Sequence, residues 1–214
     1  MRLVLARHGE TEWNRLRRIQ GLSDLEMNER GRKQARALAL ALSNQKVQAI
    51  YTSPLRRARD TARLIAEPHG LDVAVLQGLR EMDAGEIDGL TYEEMRDRYG
   101  DFFEKWMEDC SAVRPPGGCT LAEIQEHAWA AVQEILAKHR GLSSKKGATG
   151  EGVVVAVTHY FPILTVLCKS LKLGLSACRR MRLDLASTCT LDFEDSRVIL
   201  VSMNNTCHLR ENPQ

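Results

Sequence analysis

Three short apolar runs, Leu3 to Ala6, Val47 to Tyr51 and Val153 to Val157, recur along the chain between stretches with helical spacing. Strands so uniformly apolar have no polar face to offer water, so helices must cover both faces of a largely parallel sheet. The pattern predicts an α/β fold, a three-layer α/β/α sandwich with a mostly parallel central sheet. Asn28 is placed to cap a helix from about Glu29 to Leu42, whose Ala35, Leu38, Ala39 and Leu42 form one stripe. Pro54 suits the first turn of a second helix through Leu55, Ala58, Ala62 and Ile65, which breaks near Pro68-His69-Gly70. Capping-box pairs, Thr91 with Glu94 and Thr120 with Glu123, mark two further starts, the second opening a long helix to about His139. Thr188 to Phe193 and Val198 to Ser202, joined through Glu194-Asp195-Ser196, read as a closing antiparallel hairpin. Residues from about 81 to 119 break the strand and helix rhythm and carry Phe102, Phe103 and Trp106 in two short helical patterns. With its aromatics read as exposed, this segment is expected to be a small helical cap inserted over the C-terminal edge of the sheet. Gly141 to Gly152 reads as a surface loop, and residues after about Cys207 should fray.

A chain of 214 residues, 43% of them hydrophobic, can bury one substantial core, so residues 1–214 are expected to form a single domain. Thirty Lys and Arg against 28 Asp and Glu give a formal charge of +2, which provides no global field for nucleic acid or an anionic membrane. Any positive field must be local. The six cysteines, at 110, 119, 168, 178, 189 and 207, are scattered without a C-x-x-C pair and read as reduced thiols. No leader-like segment opens the chain, and no apolar run approaches about 18 residues, so a soluble, cytoplasmic protein is expected.

The first apolar run leads directly into Arg7-His8-Gly9-Glu10-Thr11-Glu12 and Asn14. Ligands of open α/β sheets sit at such carboxyl edges, and Gly9 is read as removing a side chain that would keep a substrate from the backbone. Val153 to Thr158 leads in the same way into His159. In Thr52-Ser53-Pro54-Leu55-Arg56-Arg57-Ala58 a polar turn opens a helix whose first turn carries two arginines, where the helix terminus favours anions. Glu81 follows Gly78-Leu79-Arg80 in a turn rich in Gly and Asp. Each feature has a plain alternative, solvated arginines or a surface carboxylate. Together, however, two histidines, two arginines and a carboxylate at one sheet edge make a pocket for phosphate. Arginine matches phosphate oxygens with paired hydrogen bonds, histidine is a neutral nitrogen nucleophile near pH 7, and a carboxyl group can supply the proton a leaving alkoxide needs. No Walker-type loop, H-E-x-x-H motif or Asp-rich cluster is present, so neither a metal nor another cofactor is expected.

The stretch L-V-L-A-R-H-G-E-T-E-W-N-R-L-R-R-I-Q-G, the S-P-L-R-R-A-R-D-T-A motif, L-R-E-M-D-A-G-E-I-D-G-L-T-Y-E-E and V-V-V-A-V-T-H, in this order, resemble the histidine phosphatase superfamily, also called the phosphoglycerate mutase-like family. The resemblance implies that His8 is the nucleophile that becomes phosphorylated and that Arg7, Arg57 and His159 bind the phosphoryl group. It makes Asn14 an assistant and Glu81 the general acid, then the base that activates water. Gln20, Gly21 and Tyr160 are further candidate substrate-binding residues. The family's cofactor-dependent mutases carry a longer insertion after the acid and a longer tail, and this chain has neither. Its Glu81 segment is similar to the phosphatase branch, which includes broad-specificity phosphatases and α-ribazole phosphatase. The implied activity is hydrolysis of a small phosphomonoester, with mutase-type transfer and a non-catalytic phosphate-binding module as alternatives. A homodimer is left open. Where the family has small residues after the second histidine, and then an arginine, this chain has Tyr160, Phe161 and Leu164; Cys119 and Ile87-Asp88 are further departures. They imply a bulkier, less basic pocket floor that prefers uncharged or partly apolar leaving groups, with none of the departures touching the core chemistry.

Overall fold

The computed structural model describes residues 1–142, 152–194 and 197–210. Six strands form one sheet: β1 (Arg2–Arg7), β2 (Val47–Thr52), β3 (Val73–Val75), β4 (Val153–Thr158), β5 (Thr188–Phe193) and β6 (Val198–Asn205), in the order β3-β2-β4-β1-β5-β6. The four strands β3, β2, β4 and β1 run parallel, whereas β5 lies antiparallel to β1 and β6 antiparallel to β5. Side chains alternate across the pleat, so each central strand feeds two cores. Val4, Ala6, Val153, Val155 and Val157 face α2 (Glu29–Leu42) and α3 (Arg56–Ala66), while Leu3, Leu5, Val154 and Ala156 face α6 (Leu121–Lys138) and α7 (Tyr160–Ser170). The arrangement is the three-layer α/β sandwich that the apolar runs predict.

The caps behave as local chemistry dictates. The Asn28 side chain accepts from the Gly31 N–H at 2.8 Å, and both Thr91 with Glu94 and Thr120 with Glu123 form complete capping boxes. These open α4 (Tyr92–Arg98) and α6. Gly70, at φ 62°, takes the left-handed turn that stops the chain after α3.

Several sequence expectations are corrected. Pro54 stands before α3, whose N-cap is Leu55, and so lies outside the first turn. Trp106, on α5 (Gly100–Glu108), is buried rather than exposed and meets Phe161 edge-on at 5.9 Å. The chain does not fray directly after Cys207: Cys207–Leu209 form one 3-10 turn, and His208 Nε2 lies 2.9 Å from the Ala186 carbonyl. Most of the expected 141–152 loop and the hairpin residues 195–196 lie outside the described residues. Among the described residues no helix is long and apolar enough to cross a membrane.

Candidate active site

Register brings the two histidines together. Arg7 pairs with Thr158 across β1 and β4, so the next residues, His8 and His159, leave adjacent parallel strands side by side. Their ring centroids are 5.1 Å apart. Thr52 pairs with Val157 at the end of β2, which delivers Ser53 to the same edge. α3 starts three residues after Ser53 and carries Arg57 inward.

His8 is buried, and its Nδ1 lies 2.8 Å from the Gly9 carbonyl. A carbonyl only accepts, so Nδ1 holds the proton and Nε2 keeps a free lone pair. Burial, reinforced by Arg57 and Arg7, pulls the His8 pKa well below its usual 6.5. The ring is therefore neutral at neutral pH. His159 is depressed in the same way, by burial first and then by Arg57. Arg57 Nε donates to His159 Nδ1 at 3.2 Å, which leaves the proton on Nε2, 2.7 Å from Ser53 Oγ. Both nitrogens of His159 are thus engaged, and the residue stands behind the cavity wall.

Arg57 is wholly buried without a carboxylate at ion-pair distance among the described residues. Its Nη1 and Nη2 donate to the carbonyls of Ser23 and Gly21 at 2.7 and 2.8 Å. Burial lowers its pKa to about 10, against the raising influence of Glu81, Asp24 and Asp88. Arg7 is treated similarly: Nη1 donates to the Leu183 carbonyl at 2.6 Å, its buried Nε has no partner among the described residues, and its guanidinium lies 5.1 Å over the Tyr160 ring. Two desolvated cations held by carbonyls rather than carboxylates favour an incoming anion. Arg56, by contrast, points outward and pairs with Glu26 at 3.3 Å.

Glu81 is buried beside them. Its Oε1 accepts from the Met82 and Phe161 N–H groups at 2.8 and 3.3 Å, and its Oε2 accepts from the Tyr160 N–H at 3.0 Å. The last two donors open α7, so the helix terminus favours the ionised carboxylate. Burial outweighs them and holds the Glu81 pKa above its usual value.

Arg7, His8, Asn14, Gln20, Gly21, Glu81 and Tyr160 all line one cavity of about 770 Å³, while Arg57 and His159 stand behind it. Asn14 Oδ1 accepts from the Thr11 N–H at 3.1 Å, which leaves its amide nitrogen as the available donor. Gln20 Oε1 lies 2.7 Å from Thr11 Oγ1, and its Nε2 is buried without a partner among the described residues. The Gly21 N–H already donates to Asp88 at 2.8 Å, so Gly21 serves Arg57 through its carbonyl instead. Among the described residues no group of three or more His, Cys, Asp and Glu side chains is placed to hold a metal ion.

Two readings from sequence change here, those of Gly9 and Leu164, and Asp88 gains a supporting role. A Cβ at Gly9 would lie 2.3 Å from the Gly31 carbonyl oxygen, so Gly9 makes room for α2 rather than for a substrate. Asp88 is one step from the chemistry, because its carboxylate also holds the Ser23 N–H at 3.1 Å and Oγ at 2.8 Å, fixing the loop that receives Arg57. Leu164 is wholly buried in the core and forms no part of the cavity floor. Ser53 and Asp88 lay inside recognised motifs but without roles, since only tertiary contacts reveal what they hold. Arg179, another lining residue, sits in no motif at all.

Residues 3–206 match the histidine phosphatase superfamily (branch 1). Phosphoserine phosphatase 1 of Hydrogenobacter thermophilus is 35% identical over 211 residues, covering 99% of this chain and 95% of its own. The solved structure of Bacillus stearothermophilus YhfR superposes with a TM-score of 0.88 at 27% identity, covering 98% of this chain and 99% of that one. Mycobacterial glucosyl-3-phosphoglycerate phosphatase, solved with VO3, gives 0.86 at 32% identity over 95% and 98% of the two chains.

Proposed function

The chain belongs to the histidine phosphatase superfamily (branch 1), and from that membership and the geometry of the cavity we propose that it hydrolyses small phosphomonoesters through a phosphorylated His8. The relatives named phosphatases support the activity. The observation that carries the mechanism is the neutral, buried His8, with Nε2 free and two guanidiniums beside it that have no carboxylate at ion-pair distance among the described residues. We read the described chain as one domain, with residues 81–119 covering the cavity.

In the first step His8 Nε2 attacks phosphorus as the ester oxygen leaves opposite it, and Glu81 passes its proton to that oxygen. Arg7, on the cavity wall, holds the charge on the remaining phosphoryl oxygens with Asn14 and Gln20 as amide donors, and Arg57 adds its positive field from behind the wall. Water then attacks the phosphohistidine, its proton returns to Glu81, and inorganic phosphate leaves with His8 restored. His159 fixes Arg57 and Ser53 behind the nucleophile; a direct contact with the phosphoryl group requires it to release one of them. The chemistry needs no metal ion. Turnover of p-nitrophenyl phosphate in EDTA by the wild-type chain, abolished in His8→Ala, is the expected result. Undiminished turnover in His8→Ala, or loss on chelation, would overturn the mechanism.

A further inference from the structure

We infer that Arg179 reads an anionic group on the alcohol half of the substrate, and that a ring-sized apolar body separates this anion from the phosphate. The inference rests on the phosphatase reading above. A cavity of about 770 Å³ is larger than a phosphoryl group alone requires, since pockets of several hundred Å³ hold ligands of drug size. A series of contacts leads away from the phosphoryl end. The Arg7 guanidinium lies on the Tyr160 ring, Tyr160 meets Phe161 edge-on at 5.2 Å, and Phe161 meets Trp106 edge-on at 5.9 Å. Arg179 Nη1 then donates to the Trp106 carbonyl at 2.9 Å. These rings, with Tyr92 and Met107, give the cavity an apolar wall, and Arg179 stands at its exposed rim.

The charges along that wall decide what the rim can hold. Arg18 is paired with Glu94 at 2.9 Å, and the Asp184 carboxylate is taken by Arg182 and Asn204. Arg179 has no carboxylate within ion-pair distance among the described residues, although Asp109 feels its charge, and its hydrogen bonds to the Trp106 carbonyl and to Cys110 leave most of its five donors for a ligand. Among the described residues two other lining cations lack such a pair: Arg7, at the phosphoryl end, and Arg17, which stands on the loop after α1 (Glu12–Arg15) instead of on the ring wall. Leu164 is in the core, so the cation at the rim comes from a different segment of the chain than the one the sequence singled out.

The test compares O-phosphotyrosine with O-phosphotyramine, which share leaving group and ammonium and differ in the carboxylate. The wild-type chain should favour phosphotyrosine in kcat/KM by about tenfold, the size of one charge-assisted hydrogen bond. Arg179→Met should bring that ratio close to one while leaving p-nitrophenyl phosphate turnover unchanged, Arg179→Lys should restore part of it, and Arg17→Met should leave it intact. A wild-type ratio near one, a ratio unmoved by Arg179→Met, or one moved instead by Arg17→Met would overturn the inference while the phosphatase reading stands. Absence of p-nitrophenyl phosphate turnover in the wild-type chain would instead remove the phosphatase reading, and this inference with it.

Discussion

At Glu81 two influences oppose each other: three backbone N–H groups favour the carboxylate, and burial favours the neutral acid. Burial wins, so the carboxyl group retains its proton above the pH at which an exposed glutamate would lose it. Glu81→Gln, which cannot release a proton, should slow alkyl phosphates by about a hundredfold or more and p-nitrophenyl phosphate much less, because a nitrophenolate leaves without protonation. Equal losses with both would make Glu81 a binding group rather than the acid. His8 sets the other limb of the pH profile. Its pKa is depressed by burial and by Arg57 and Arg7, so the imidazole proposed as the nucleophile stays neutral well below pH 6.5. Single-turnover phosphorylation by alkyl phosphates should persist into that range and decline on the alkaline side as Glu81 ionises. Glu81→Gln should abolish the alkaline limb; a limb that survives belongs to another group.

At the scale of elements, the site depends on how loops meet helix starts. A Cβ at Gly31 would lie 2.1 Å from the Glu10 carbonyl oxygen, inside any van der Waals contact. Alanine in place of glycine ordinarily stabilises a helix by about 1 kcal/mol. Here Gly31→Ala should instead lower the melting temperature, and also the activity, because the backbone it displaces runs on from His8. A melting temperature equal to or above wild type would show that this loop can yield. How much was legible in the sequence follows from the same local chemistry. β1, β2 and β4 announce themselves because both faces are buried, and α2, α4 and α6 because their caps are written in neighbouring residues. β3 escaped because it is a three-residue edge strand with two exposed positions, and α7 because its run from Pro162 to Cys168 is buried all round and shows no stripe. Arg57 was separated from Arg56 only by the family resemblance, whereas His8, His159 and Glu81 were legible as residues at strand ends and turns. Ser53, Asp88 and Arg179 were not, since their partners lie far away in the chain: Ser53 meets His159 across 106 residues, and Arg179 meets Trp106 across 73.

Across the whole molecule, the cavity concentrates positive charge and neutral histidines in a folded interior, and both leave a mark on stability. His8 and His159 have folded pKa values below the 6.5 of the free side chain, so between those values the unfolded chain binds more protons. The histidines' contribution to stability is therefore complete above about pH 6.5 and is lost as the pH falls towards the folded values. The melting temperature should drop through that window, and the drop should shrink in His8→Ala; an equal drop in wild type and variant would place its cause elsewhere. Half-buried Arg7 and buried Arg57 give the opposite lever, because an oxyanion that binds only the folded state raises stability by mass action. Inorganic phosphate should raise the melting temperature of the wild-type chain and have little effect on Arg57→Met, whereas an equal rise in both would place the anion away from Arg57. The most direct test of the transfer to His8 is mass spectrometry of the protein quenched in alkali during turnover, conditions that preserve a phosphohistidine. The peptide carrying His8 is expected to gain the mass of one phosphoryl group that later acid treatment removes. Full turnover with that peptide unmodified, or with the label on His159, would contradict it.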